Sequence, residues 1–241
     1  MTQAEGTTRI VFGCSGSAAN LAAIPRLASA LGADVVALTL DVGQAVELGG
    51  VRQAALAAGA VRAHVLDARD EFARQCLVAS REDQAPSAHP LIARKLVEVA
   101  LIEGATTIAH AGDEHDHAEI QAAAHGFDRS IRVIAANAGD GAVSPGAHTT
   151  LWERAPGRPE LNEPARLEIA FEGGLPVSVN GVPMTLTELI ESVATIAAAP
   201  AAVVFQAAHE ALGADASRAS GATVCLELFK GQHRVHSAHH S

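Results

Sequence analysis

Apolar runs of strand length at residues 9–14, 34–41, 61–67, 106–112 and 132–137 alternate with stretches of helical periodicity at about 18–31, 45–58, 69–80, 89–104 and 117–125. The strand runs are apolar throughout rather than in alternation, so both of their faces are expected to be covered. That pattern predicts a parallel α/β sheet of five strands flanked by helices. Ligands of such sheets bind beyond the carboxyl ends of the strands, near the point where strand order reverses. Cys14 to Asn20, Asp41 to Gln44 and Ala111 to His117 all fall at that edge.

After Ala138 the periodicity dissolves into Gly, Pro and Ala around a lone Trp152. Residues 139–164 are therefore expected to be a linker between a first domain, 1–138, and a small α+β domain with a C-terminal tail, 165–241. Within the second domain, Arg166 to Phe171 and Pro176 to Asn180 alternate like a hairpin around Gly173-Gly174. Thr185 and Glu188 have capping-box spacing and open a helix carrying Leu189, Val193 and Ile196. A second helix over about 201–213, a strand over Gly221 to Phe229 and a short strand near Arg234-Val235 complete it. His233, His236, His239 and His240 read as an exposed tail with incidental metal affinity. An amphipathic helix and exposed strands in this domain suit a homo-oligomer.

With 49% apolar and 18% charged residues, the composition is that of a soluble globule. A formal net charge of −10 without a basic patch argues against nucleic acid as a partner. No apolar run reaches membrane-span length, and Met-Thr-Gln-Ala-Glu-Gly lacks the pattern of a signal peptide, so a cytoplasmic location is expected. Cys14, Cys76 and Cys225 form no C-x-x-C pair, which suits a reducing compartment.

The loop Cys14-Ser15-Gly16-Ser17-Ala18-Ala19-Asn20 follows the first strand and opens a helix. Backbone N–H groups and the positive helix end converge at such a position, which suits a phosphate. Several further segments, in order, resemble the argininosuccinate synthase family. They are Val35 to Gln44, Pro90 to Glu98, Ile108 to His110, Leu151-Trp152, Ile169 to Val177, Leu186 to Glu191, Ala199 to Val204 and Leu226 to Gly231. The similarity is colinear over nearly the whole chain, with large internal deletions. It implies a Rossmann-like fold of the adenine nucleotide alpha hydrolase type, followed by an α+β oligomerisation domain. It also implies ATP and Mg²⁺ as cofactors, adenylation of the ureido oxygen of citrulline, and displacement of AMP by the amine of aspartate.

Position by position, the family's pyrophosphate loop Ser-Gly-Gly-Leu-Asp-Thr-Ser meets Ser15 to Leu21 and is matched only at Ser15 and Gly16. The segment His-Gly-Cys-Thr-Gly-Lys-Gly-Asn-Asp-Gln-Val-Arg meets His110 to Gln121. There the threonine and aspartate that hold the substrate aspartate are Asp113 and Ala118, the asparagine is His117, and the citrulline-holding arginine is Gln121. A carboxylate facing a carboxylate repels, so aspartate binding of the family type is not expected.

Candidate nucleotide-site residues are thus Cys14, Ser15, Gly16, Ser17, Asn20, Asp41 and Gln44, and candidate catalytic residues are His110, Asp113, His115 and His117. Asp113, His115 and His117 also form a ligand set suited to Zn²⁺, Ni²⁺, Mn²⁺ or Fe²⁺ if the segment is an extended loop, or simply a solvated polar turn if it is not. His110 reads as a buried structural histidine or a general acid–base. Cys14 reads as apolar filler or as a thiolate stabilised by the helix end. The expectation is a divergent biosynthetic enzyme handling a small polar metabolite. An ATP-dependent C–N ligase with an altered acceptor and a non-catalytic binding protein stand as alternatives.

Overall fold

A computed structural model describes residues 8–43, 47–81, 88–136, 164–197, 199–213, 221–229 and 232–240. Gln44, Trp152 and most of the segment 139–164 lie outside the described residues. The chain divides into two units: residues 1–41, 46–68 and 87–148, and residues 42–45, 69–86 and 149–241.

In the first unit the strands are β1 (Arg9–Gly13), β2 (Asp34–Asp41), β3 (Arg62–Asp67), β4 (Thr107–His110) and β5 (Arg132–Ala135). The helices are α1 (Ala18–Leu31), α2 (Leu48–Ala57), α4 (His89–Glu103) and α5 (Glu114–Phe127), while α3 (Arg69–Arg81) belongs to the second unit. The strand order is β3-β2-β1-β4-β5, and every pairing between neighbours is parallel. Order reverses between β1 and β4, so the loops that follow these two strands flank the switch point.

One core layer packs Ile10, Phe12, Val35 and Ala37 against Ile24 and Leu27 of α1, and the other packs Val11, Val36, Leu38 and Ile108 against Leu96 and Val97 of α4 and Ile120 of α5. The central strands β1, β2 and β4 are thereby buried on both faces, while the edge strands β3 and β5 are only partly covered. At the amino-terminal edge, the Glu103 side chain is 2% exposed and meets Arg9 at 3.4 Å, Arg62 at 3.0 Å and His64 at 3.0 Å.

The second unit holds an antiparallel sheet in the order β10-β9-β6-β7-β8, from β6 (Ala165–Glu172), β7 (Leu175–Val179), β8 (Val182–Pro183), β9 (Ala222–Phe229) and β10 (Gln232–His240). The inner face carries Leu167, Ile169, Phe171, Val224 and Leu226, all fully buried, while the alternate positions are partly or fully exposed. Helices α6 (Leu186–Ala197) and α7 (Ala201–Leu212) complete this unit. The predicted capping box is present: Glu188 Oε2 accepts from Thr185 N–H at 2.9 Å and from its hydroxyl at 2.8 Å.

Two expectations change. The C-terminal histidines are not a tail: nine residues form β10, antiparallel to β9, with a register shift between Val235 and Ser237. The Asp113 to His117 segment is not an extended loop either, because α5 begins at Glu114.

Candidate functional site

The loop after β1 is fastened at its root, where Cys14 N–H donates to the Leu38 carbonyl at 2.8 Å and the Cys14 carbonyl accepts from Thr39 Oγ1 at 2.8 Å. The Cys14 side chain is 4% exposed and packs with Phe12 and Ile24. Burial pushes its thiol above the ordinary 9.0, with a backbone hydrogen bond at Gly16 opposing only in part. Cys14 is therefore apolar filler, and the helix end does not make it a thiolate.

Beyond Cys14 the loop hydrogen-bonds itself. Buried Asn20 turns its Oδ1 back to accept both the Ser15 N–H, at 2.7 Å, and the Ser15 hydroxyl, at 3.0 Å. Ser17 is the N-cap of α1, its side chain accepting from Asn20 N–H at 3.3 Å. Ser17 N–H reaches Ser15 Oγ at 3.5 Å. Gly16 has φ +81°, and a β-carbon there would lie 2.6 Å from Val51 of α2. Both Ser15 donors are thus occupied within the loop, by Asn20.

Asp41 ends β2 and is paired in register with Asp67 at the end of β3. The Asp41 carbonyl accepts from Ala68 N–H at 2.8 Å. Gln44, the other candidate of this segment, lies outside the described residues.

At the end of β4 the sequence Gly112-Asp113-Glu114-His115-Asp116 folds as a helix start. Asp113 is the N-cap: its carboxylate accepts from Asp116 N–H at 3.0 Å, while Asp116 Oδ2 accepts from Asp113 N–H at 3.0 Å. The hydrogen bond from the Asp116 backbone, opposed by desolvation and aided by a lesser one from the His115 backbone, holds the Asp113 carboxyl below its ordinary range. Gly112 is required by this box, since a β-carbon would meet the Asp116 side chain at 2.5 Å.

Helical geometry then separates the expected ligand trio. Residues two apart on a helix face different directions, so His115 points out, 79% exposed, to pair with Glu119 at 3.2 Å. His117 instead meets His110, with His110 Nε2 and His117 Nδ1 2.9 Å apart and ring centroids at 5.2 Å. Asp113, His115 and His117 do not converge, and among the described residues no group of three His, Cys, Asp or Glu is arranged to hold a metal ion.

The His110 side chain is buried at the strand end, 4% exposed. Burial, reinforced by the neighbouring His117 and His89 and opposed by Asp116, pushes its pKa down to about 4. Its Nδ1 accepts from Gly112 N–H at 3.1 Å. A second polar group adjoins it: His89, opening α4, places Nδ1 2.6 Å from Glu119 and Nε2 3.2 Å from Asp116. Both carboxylates are satisfied together when both ring nitrogens carry hydrogen.

The site that the structure assembles is therefore His110, His117, His89, Asp116 and Glu119, with Asp113 and Gly112 shaping its backbone. His89, Gly112, Asp116 and Glu119 were not among the sequence candidates. The Asp113–Asp116 spacing was the signal for the helix start, and a helix there would have set His117 apart from His115.

Comparison with known proteins finds one family and several relatives. The family model for the arginosuccinate synthase N-terminal HUP domain matches residues 9–140. A curated argininosuccinate synthase of Bacillus velezensis is 32% identical over 214 residues, covering 66% of this chain and 53% of its own length. That of Lactococcus lactis subsp. cremoris is 30% identical over 247 residues, covering 80% and 62%. That of Streptococcus suis is 29% identical over 219 residues, covering 68% and 55%. The chain thus spans little more than half the length of these relatives. A solved structure of a universal stress protein in complex with cAMP aligns with 55% of this chain and 98% of its own at 17% identity, with a TM-score of 0.30.

Proposed function

Because the chain belongs to the argininosuccinate synthase family, we propose that it is a divergent member acting on a small polar metabolite at the carboxyl edge of its parallel sheet. In this reading it has left behind the family's use of ATP and aspartate, and the polar groups around His110 and His117 serve the ligand instead. The observation that carries the proposal is Asn20. Its amide oxygen takes both donors of Ser15, which a phosphate could use only by displacing a buried side chain. Leaving a buried amide unsatisfied costs on the order of 1–3 kcal/mol, and that cost falls directly on nucleotide affinity. At the second loop, Asp113 adds a carboxylate at the position where the family holds an amino-acid carboxylate.

A second reading has its own support. The topology at the β1–α1 turn, the positive φ of Gly16 and the helix start at Ala18 retain the backbone form of a phosphate loop, and backbone donors need no particular side chains. This is the reading of an ATP-dependent, AMP-forming C–N ligase with an altered acceptor. Calorimetric titration of the purified chain with ATP and Mg²⁺ separates the two. The proposal expects no measurable binding. A dissociation constant tighter than about 0.1 mM would overturn it, and pyrophosphate release dependent on an added amino acid would then establish the ligase.

A further inference from the structure

The hydrogen bonds around His110 run in one direction, and that direction fixes what His117 can do. A backbone N–H is always a donor, so the Gly112 contact at 3.1 Å requires a bare lone pair on His110 Nδ1. Neutral His110 then carries its only hydrogen on Nε2. That hydrogen points to His117 Nδ1 at 2.9 Å, which must accept. Neutral His117 is left with its hydrogen on Nε2, and among the described residues this nitrogen makes no hydrogen bond.

The same chain blocks proton traffic. A proton placed on His117 Nδ1 would confront the His110 Nε2–H. Moving that hydrogen to His110 Nδ1 would confront the Gly112 N–H. Loss of the Nε2 proton from His117 with compensation at Nδ1 would turn His110 into an imidazolate. Burial opposes the remaining escape, a second proton on His110. The hydrogen-bond chain is built to keep its polarity.

We propose that His117 Nε2–H is a hydrogen-bond donor of fixed tautomer that selects a ligand with an uncharged oxygen acceptor, a carbonyl or amide oxygen, and that His110 is the positioning residue that sets that tautomer. This rests on the reading of the β4–α5 edge as the ligand site. The uncharged class follows from the surroundings. Asp113 and Glu114 are exposed at the start of α5, and Asp116 and Glu119 lie on the same helix against His89 of α4, with His115 on Glu119. The cap carboxylates already occupy the backbone donors of Asp113 and Asp116. A phosphate or carboxylate would meet like charge and occupied donors, whereas a carbonyl oxygen needs only the one N–H.

Long-range ¹⁵N–¹H correlation of the imidazoles in the labelled full chain tests the tautomer without any ligand. At about pH 8, where an unperturbed imidazole is uncharged, His117 should have Nδ1 bare and Nε2 protonated, and His110 should match it. His110→Phe should release His117 into mixed tautomers. If that variant does not fold, the wild-type spectrum decides alone. Acetamide should shift the His117 Nε2–H signal several-fold more than inorganic phosphate at equal concentration. An Nδ1-protonated His117, an equal or larger response to phosphate, or no response to either probe overturns the proposal. Tight ATP binding with the tautomer and the acetamide preference intact would instead overturn the loss of ATP use and leave the His117 donor at the β4–α5 edge standing.

Discussion

At Gly16 a single methyl group is excluded twice over, by a left-handed backbone and by the Val51 side chain. Gly16→Ala is expected to cost about 1–3 kcal/mol in urea denaturation. Adding Val51→Ala should restore only part of that loss, because the smaller neighbour relieves the clash and not the φ angle. Full recovery in the double variant would show that the backbone contributes nothing. Residue chemistry was unevenly legible in the sequence. The position of Cys14 after an apolar strand allowed both a thiolate and a filler, and only its 4% exposure decides between them. Asn20 was visible as a loop residue, but that its amide turns back on Ser15 depends on a helix turn bringing the two together. His110 follows the same logic: its neighbours, not its type, determine the tautomer.

Elements were read more securely than the contacts between them. The hairpin of β6 and β7 and the Thr185–Glu188 box are where periodicity and capping chemistry place them. Thr185→Ala should destabilise the second unit by about 1 kcal/mol, read as a shift in denaturation midpoint with unchanged slope. Asp113→Ala should lower the denaturation midpoint of the first unit and should also broaden the His117 signals, since Asp113 sets the first turn of α5. A box that uses aspartate at its third position is weaker in sequence than one with glutamate, which is why apolar periodicity alone starts the helix at about 117 while α5 begins at Glu114. Helix α3 is another case. Its spacing is that of an ordinary crossover helix, yet Asp70 accepts from the Thr187 N–H and hydroxyl and so satisfies a free donor in the first turn of α6. A tie between residues 117 positions apart leaves no trace in a local pattern.

Across the parallel unit, the two edges of the sheet respond to acid through different groups. Burial alone would raise the Glu103 carboxyl, but hydrogen bonds from His64 and Arg62 outweigh it and hold it below the ordinary 4.5. An acid depressed in the folded state contributes stability above its unfolded value, and the contribution is lost as pH falls through the folded one. Glu103→Gln should therefore cost about 1–3 kcal/mol at neutral pH, and the difference from wild type should shrink below pH 4.5. His110 acts at higher pH. The unfolded chain takes up a proton near 6.5 while the folded chain resists until about 4, so stability falls as pH drops through that window. His110→Gln should remove this slope, as urea midpoints at several pH values would record. Among the described residues of the second unit, the sheet ends in two unlike strands. At one rim β8 is two residues long and finishes in proline, and at the other β10 carries the register shift between Val235 and Ser237. A long straight rim offers unpaired amides as a template for endless strand addition, and a kink or a proline spoils the template. Smoothing the β10 irregularity would thus threaten less the fold itself than its resistance to fibrous aggregation.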